Sequence, residues 1–207
     1  MRVGLLLVAV VAALVLHGCG KPKGDLQAGI AAFERKDYAT ATKEIQALAE
    51  HGNPQAQYYM ARLAQVRYTV GSAEFRARDA EVVAWYRKAA EQGHLESQVM
   101  LGEIYGRGLG VREDPAEALK WFRRAADQGD PGSLSTLAWH YRDPGPNQDL
   151  VASYALDTVA GERDPRYRQG EPKAASDMSE EQIEAARALA DRLRAPGAVL
   201  SKELKRR

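Results

Sequence analysis

His140 and Asp143 are the one pair of side chains in this chain whose spacing suits acid–base chemistry. Three residues apart on a helix, they would share a face and set an imidazole beside an orienting carboxylate. No serine, threonine or cysteine stands beside them in a nucleophile motif, so no catalytic residue and no enzyme activity is expected. Of the other three histidines, His17 falls in an apolar leader, and His51 and His94 flank Gly52 and Gly93, where a polar residue suits a solvated turn. His, Asp and Glu nowhere fall at metal-ligand spacing, so neither a metal nor a cofactor is expected. Gly106, Gly108 and Gly110 follow a helical stretch rather than a strand, which is the wrong setting for a phosphate-binding loop. Arg62–Arg78, with Tyr68 and Phe75 interleaved, mixes base and ring as a nucleic-acid face does. The plainer reading is a solvated inter-helix loop, an insertion over 66–78. Its alternative is a binding loop, because insertions in repeat proteins sit at the recognition edge.

The single cysteine is the other reactive group. Met1 and Arg2 give a short positive start, and residues 3–16 are almost all Val, Leu and Ala. That run is shorter than the roughly 20 residues a spanning helix needs, so 1–18 reads as a signal peptide. Leu16, Gly18 and Cys19 then resemble the lipobox of bacterial lipoprotein signals: an aliphatic residue, a small one, then cysteine. His17 departs from the small or aliphatic residue usual in its slot. The resemblance implies that Cys19 is acylated as the first mature residue, that 19–24 is a short tether, and that the membrane is a partner through its acyl chains. Gly20, in place of the aspartate that commonly marks inner-membrane retention, implies the outer membrane, facing the periplasm. Several acyl chains on one residue anchor durably, at about 0.8 kcal/mol per buried CH₂. With Cys19 modified, no thiol remains for a disulfide, a metal site or a nucleophile.

Composition bounds the rest. Without residues 1–18 the chain keeps 28 basic residues against 28 acidic. That balance argues against nucleic acid as a partner, since such partners demand a basic excess. What remains is enough for one domain. Alanine and arginine are abundant and β-branched residues few beyond the leader, which favours helix throughout.

The elements that carry these side chains announce themselves as repeats. Ala89-Ala-Glu-Gln-Gly93 recurs as Ala125-Ala-Asp-Gln-Gly129, with Trp85 and Trp121 at the same offset before each copy. An interval of 36 residues suits two packed helices and their turns. Aligning on Gly52, Gly93 and Gly129 superposes Ala56, Ser97 and Ser133, then Met60, Leu101 and Leu137, then Ala61, Gly102 and Ala138; Tyr105 aligns with Tyr141. These positions fall on one helical face, where small residues let a neighbour approach and larger ones fill around it. Asn53-Pro54, Asp114-Pro115 and Asp130-Pro131 each read as an N-cap followed by proline at the first helical position. Trp85 and Trp121 read as core.

The stretch from Leu101 to Asp114 (Leu-Gly-Glu-Ile-Tyr-Gly-Arg-Gly-Leu-Gly-Val-Arg-Glu-Asp), followed by Ala118-Leu-Lys-Trp-Phe-Arg-Arg-Ala-Ala-Asp-Gln-Gly129, resembles a Sel1-like repeat. Residues 94–129 carry that motif throughout. Residues 53–93 carry five extra residues and lack the loop glycines, and 130–161 replace the tryptophan segment with Gln148–Ala152 and Tyr154–Leu156. Residues 25–52 are closer to a generic tetratricopeptide unit, with Ala32, Phe33, Tyr38 and Ala41 in fitting places. The resemblance implies an all-α fold, an α/α solenoid of Sel1-like, tetratricopeptide-like hairpins over 25–161, and an adaptor function.

Residues 162–177 lack periodicity and read as a loop. Ser179 and Gln182 make a capping-box start for a helix over 178–195, whose apolar face of Ile183, Ala186, Leu189, Ala190 and Leu193 would cap the open end of the stack. Residues 196–207 are expected to be a flexible tail. The first helices of the units are expected to form a concave wall that takes another envelope protein or peptide. Residues there that break the core pattern are the binding candidates: Gln57, Arg62, Gln98, Glu103 and Trp139. Trp139 stands out, because tryptophan is enriched among binding anchors; its alternative is contact with the C-terminal helix. Two other readings stay open: an enzyme acting on cell-wall material, or a noncatalytic peptidoglycan or glycan binder. Cysteine-rich relatives of this repeat family are associated with β-lactam binding or hydrolysis, but the cysteine pairs that brace them are missing here.

Overall fold

The computed structural model describes residues 23–67, 74–168, 172–195 and 198–206. The expected signal peptide, Cys19 and residues 68–73 of the 66–78 insertion therefore lie outside the described residues, and 66–67 and 74–78, expected as loop, are helical. The described chain runs as four helical hairpins. These are α1 (Leu26–Glu34) with α2 (Tyr38–Glu50), α3 (Pro54–Arg67) with α4 (Glu74–Glu91), α5 (Leu95–Arg107) with α6 (Pro115–Asp127), and α7 (Pro131–Arg142) with α8 (Leu150–Arg163). Two 3₁₀ turns follow at Pro165–Tyr167 and Lys173–Asp177, then α9 (Glu180–Arg194) and a short α10 (Leu200–Glu203). Each helix packs chiefly on its neighbours in sequence, which is the signature of an open stack. The fold is an all-α solenoid.

One local device joins consecutive hairpins. After α2, Gly52 takes φ 93°, its N–H reaches the Ala49 carbonyl, and the Asn53 N–H reaches the Leu48 carbonyl. This paired closure ends a helix with a residue in the left-handed region, which glycine adopts without a Cβ penalty. Asn53 then turns round and caps α3, its Oδ1 accepting from the Ala56 N–H at 2.9 Å. The same residue thus finishes one helix and starts the next. Gly93 with His94, and Gly129 with Asp130, repeat the arrangement: His94 Nδ1 and Asp130 Oδ2 accept from the Ser97 and Ser133 N–H groups.

The core is a column of apolar clusters threaded along the stack. Phe33, Ile45 and Met60 fill the first junction, Tyr86, Leu101 and Trp121 the middle, and Leu137, Leu156 and Leu189 the last. Alanines at the helix contacts, such as Ala41, Ala89, Ala125 and Ala155, are wholly buried and set the close spacing. Gly102 does the same on α5: a Cβ there would lie 2.6 Å from the Phe122 ring. The aligned position of Ala61, Gly102 and Ala138 is therefore kept small by contact, as its residue types imply.

The far end is closed by α9. Its N-terminus carries the expected capping box, with the Gln182 N–H on Ser179 Oγ and the Ser179 N–H on Gln182 Oε1. Leu189, Ala190 and Leu193 bury against Ala155, Leu156, Val159 and Ala160 of α8. Two expectations are corrected here. The loop over 162–177 holds two 3₁₀ turns, and Ala174 is fully buried against Tyr154 and Ala186. The tail over 198–206 is not free: Leu200 is buried in the last cluster, and the Ser201 N–H donates to Asp127 Oδ1 at 3.0 Å. Leu200 and Leu204 are apolar residues after a Pro-Gly break, too few to register as a periodic helix, and only the α6 surface reveals their use.

Candidate functional site

Positions ten residues beyond Gly52, Gly93 and Gly129 are Arg62, Glu103 and Trp139, on α3, α5 and α7 respectively. The structure sets them on the solvent side of the three first helices. Trp139 is 59% exposed, Glu103 is exposed, and Arg62 is half-buried. Glu103 and Trp139 line one cleft of roughly 600 Å³, together with Val99, Phe122, Thr136 and Asp157. Helix α9 packs on α8, on the far side of the last hairpin, and leaves Trp139 to the cleft.

Within the cleft wall, Asp157 is held by Arg142, with Nη1 to Oδ2 at 3.7 Å. Burial pushes its carboxyl above the usual range, against the pull of Arg142 and Lys173. Arg62 is held differently. Its guanidinium lies 4.7 Å from the Phe33 ring centroid and 5.8 Å from that of Tyr58, a cation laid over two rings. Those rings belong to an edge-to-face series, Phe33 to Tyr59 at 5.4 Å and Tyr59 to Tyr58 at 5.2 Å.

Gln57 and Gln98 are a correction. Both are 4% exposed and cannot reach a partner. Gln57 Nε2 donates to the Ala49 carbonyl at 3.1 Å, while its Oε1 accepts from Gln92 Nε2 at 2.8 Å. Gln98 Nε2 donates to the Ala90 carbonyl at 3.1 Å, and its Oε1 accepts from Gln128 Nε2 at 2.8 Å. Each glutamine therefore clips the end of the previous hairpin to the end of its own. The signal was present in the sequence, since both follow the unit glycine by five residues and both partners precede the next glycine by one. Leu134 takes the place in the last unit and joins the apolar core, so the ladder stops there.

His94 is a second correction. It is no solvated turn residue: its ring stacks on Tyr58 at 4.9 Å, and Nε2 meets Gln55 Oε1 at 3.0 Å. With Nδ1 accepting from the Ser97 N–H, the ring proton sits on Nε2. Burial holds this imidazole below its ordinary range, against the pull of Glu96. His140, by contrast, leans on the Tyr141 ring at 5.9 Å, and Asp143 is exposed at the end of α7, so the pair is not assembled as a base and its orienter. Trp121 is buried with its Nε1–H on Glu117 Oε1 at 3.0 Å, and Trp85 packs partly buried under Lys88 at 4.3 Å. Among the described residues, no group of three or more His, Cys, Asp or Glu is placed to hold a metal ion. Nor is any described helix long and apolar enough to cross a membrane.

The Sel1 repeat model matches residues 83–94 and 95–130. No curated protein matches the chain. Among solved structures, a protective antigen present in uropathogenic Escherichia coli strains, displaying an SLR fold, aligns with a TM-score of 0.61 and 26% identity. That alignment covers 81% of this chain but 35% of the antigen, so this chain spans about a third of its length. A Sel1 repeat protein from Oxalobacter formigenes aligns with a TM-score of 0.60 and 22% identity, over 88% of this chain and 85% of that one. The repeated turn and the small-residue contacts agree with these likenesses: residues 83–130 match the Sel1 repeat, and the described chain folds as a solenoid similar to the solved SLR and Sel1 repeat structures.

Proposed function

We propose that this protein is a lipid-anchored adaptor of the bacterial cell envelope, which holds another protein or peptide against its first-helix face without catalysing a reaction. The observation that carries the reading is Trp139, a large aromatic left 59% exposed on the wall of a cleft while Ser133, Leu137 and Ala138 on the same helix are buried. Tryptophan is among the strongest anchors at interfaces. The neutral balance of charge supports a protein partner over nucleic acid. Acylation at Cys19 would supply the anchor, with the outer membrane, facing the periplasm, as its site. Tethering raises the local concentration of whatever the cleft captures.

Two measurements test this. Labelling of cells with an alkyne-bearing palmitate analogue should mark the wild-type chain and leave Cys19→Ser unmarked and released from the membrane fraction. In-cell crosslinking with mass spectrometry should recover an envelope protein from the wild type and lose it in Trp139→Ala. Recovery of the same partner at wild-type yield by Trp139→Ala would contradict the assignment of the face. Among the described residues, the reading of an enzyme on cell-wall material finds His140 and Asp143 unassembled. Turnover of nitrocefin or muropeptides sensitive to His140→Ala would restore it, and retention on purified sacculi would favour a glycan binder.

A further inference from the structure

The two ends of the solenoid are finished differently. At the far end α9 is a charged helix: seven of the fifteen residues from Glu180 to Arg194 are Asp, Glu or Arg. At the near end α1 carries one charge in nine residues, Glu34. A terminal helix of an open stack needs a polar outer side to face water. α1 packs chiefly on α2 and buries Gly29, Ala32 and Phe33. Its other side holds Gln27, Ala28, Ile30, Ala31 and Glu34, exposed or half-buried. Among the described residues, no helix packs on that side as α9 packs on α8.

That end is also the one nearest the anchor. Five residue steps separate Cys19 from Gly24 and reach about 18 Å at full extension. Gly24 is fixed on the first hairpin: a Cβ there would overlap the Glu44 carbonyl, and the next residue, Asp25, donates its N–H to Glu44 Oε2 at 3.1 Å. The anchor's reach is thus counted from a fixed point, and α1, itself about 13 Å long, is held within reach of the bilayer surface. So short a link raises the effective concentration of bilayer at α1, and a weakly apolar side suffices where a free protein would need a large patch.

Charge suits the same surface. Lys23 precedes α1, while Arg35 and Lys36 follow it, so bases stand at both ends of the helix to meet lipid phosphates. Asp25 and Asp37 beside them are engaged as the caps of α1 and α2. The chain as a whole needs no basic excess, because the acyl chains supply the affinity. We propose, resting on the acylated Cys19 of the adaptor reading, that the solenoid sits on its membrane by the outer side of α1, with Gln27 and Ala31 against the lipid headgroups and the later hairpins stacked outward.

Full-length acylated chain carrying one introduced thiol, reconstituted in vesicles of phosphatidylethanolamine and phosphatidylglycerol, tests this. A fluorescent dye on Gln27→Cys should be quenched by nitroxides on the lipid headgroups and shielded from iodide. The same dye on Ala185→Cys, exposed on α9, should show the reverse, and so should the dye on Lys43→Cys, beside the Glu44 that fixes the tether. Adding Ala31→Glu, one turn from the first dye, should remove most of the lipid quenching at 27 while the acyl chains keep the protein on the vesicles. Circular dichroism melts show whether each variant is folded. Equal quenching at 27 and 43, or equal iodide access at 27 and 185, in a chain that carries the palmitate analogue, would overturn the proposal and leave the anchored adaptor intact. Shielding at 27 without lipid quenching, with energy transfer between dyes on separate molecules, would overturn it in favour of a second copy of this chain. A chain unmarked by the palmitate analogue would overturn the anchor and the proposal together.

Discussion

His94 is where a single proton acts on the stack. Its neutral imidazole ends α4, starts α5, stacks on Tyr58 and bonds Gln55 through the ring N–H. Burial lowers its pKa from the ordinary 6.5, so below that value the unfolded chain binds the proton more readily than the native one. Stability from this residue is present above about pH 6.5 and is lost as the pH falls below it. Thermal melts should therefore drop as the pH falls below about 6.5 in the wild type and drop less in His94→Asn, which keeps a capping oxygen. Equal acid sensitivity in both would refute the role. Gln98 makes a second residue-scale prediction. Gln98→Ala removes two hydrogen bonds, while the Ala90 carbonyl keeps the Gly93 N–H and Gln128 Nε2 keeps the Gly93 carbonyl, so the two lost bonds should together cost about 1–3 kcal/mol in urea unfolding. Capture of a partner by molecules that remain folded should be unchanged, since Gln98 does not reach the surface.

Elements divide into those whose signal is local and those whose signal is not. The four hairpins were legible because caps, unit glycines and small-residue positions all repeat at fixed offsets, and α9 because its capping box and apolar face coincide. The clips of Gln57 and Gln98 were not read, because a polar side chain on the first-helix face looks the same whether it meets backbone or solvent. Only the neighbouring helix end decides. The tail reads as flexible for a related reason: α10 has four residues, and its stability comes from the surface of α6 rather than from its own pattern. Deleting 198–207 removes the buried Leu200 and the Ser201–Asp127 contacts. That should lower stability by about 1–3 kcal/mol, the worth of one large apolar side chain. An unchanged melt would show that the segment adds nothing. Of the binding candidates, burial separates the two glutamines from the exposed Glu103 and Trp139, with Arg62 half-buried over Phe33 and Tyr58 between them.

As a whole the described molecule is a row of duplicated hairpins that buries Trp121, packs Trp85 partly buried and leaves Trp139 exposed. A solenoid has a long face on which equivalent positions vary from unit to unit. The central claim is that this face, and not the outer surface of the second helices, carries the function. It is tested most directly by placing a photoreactive amino acid at position 139, and separately at position 123 on the exposed side of α6, in the full-length chain in cells. The account predicts a discrete crosslinked partner from position 139 and none from position 123. Equal crosslinking from both positions, or a partner from position 123 alone, would contradict it.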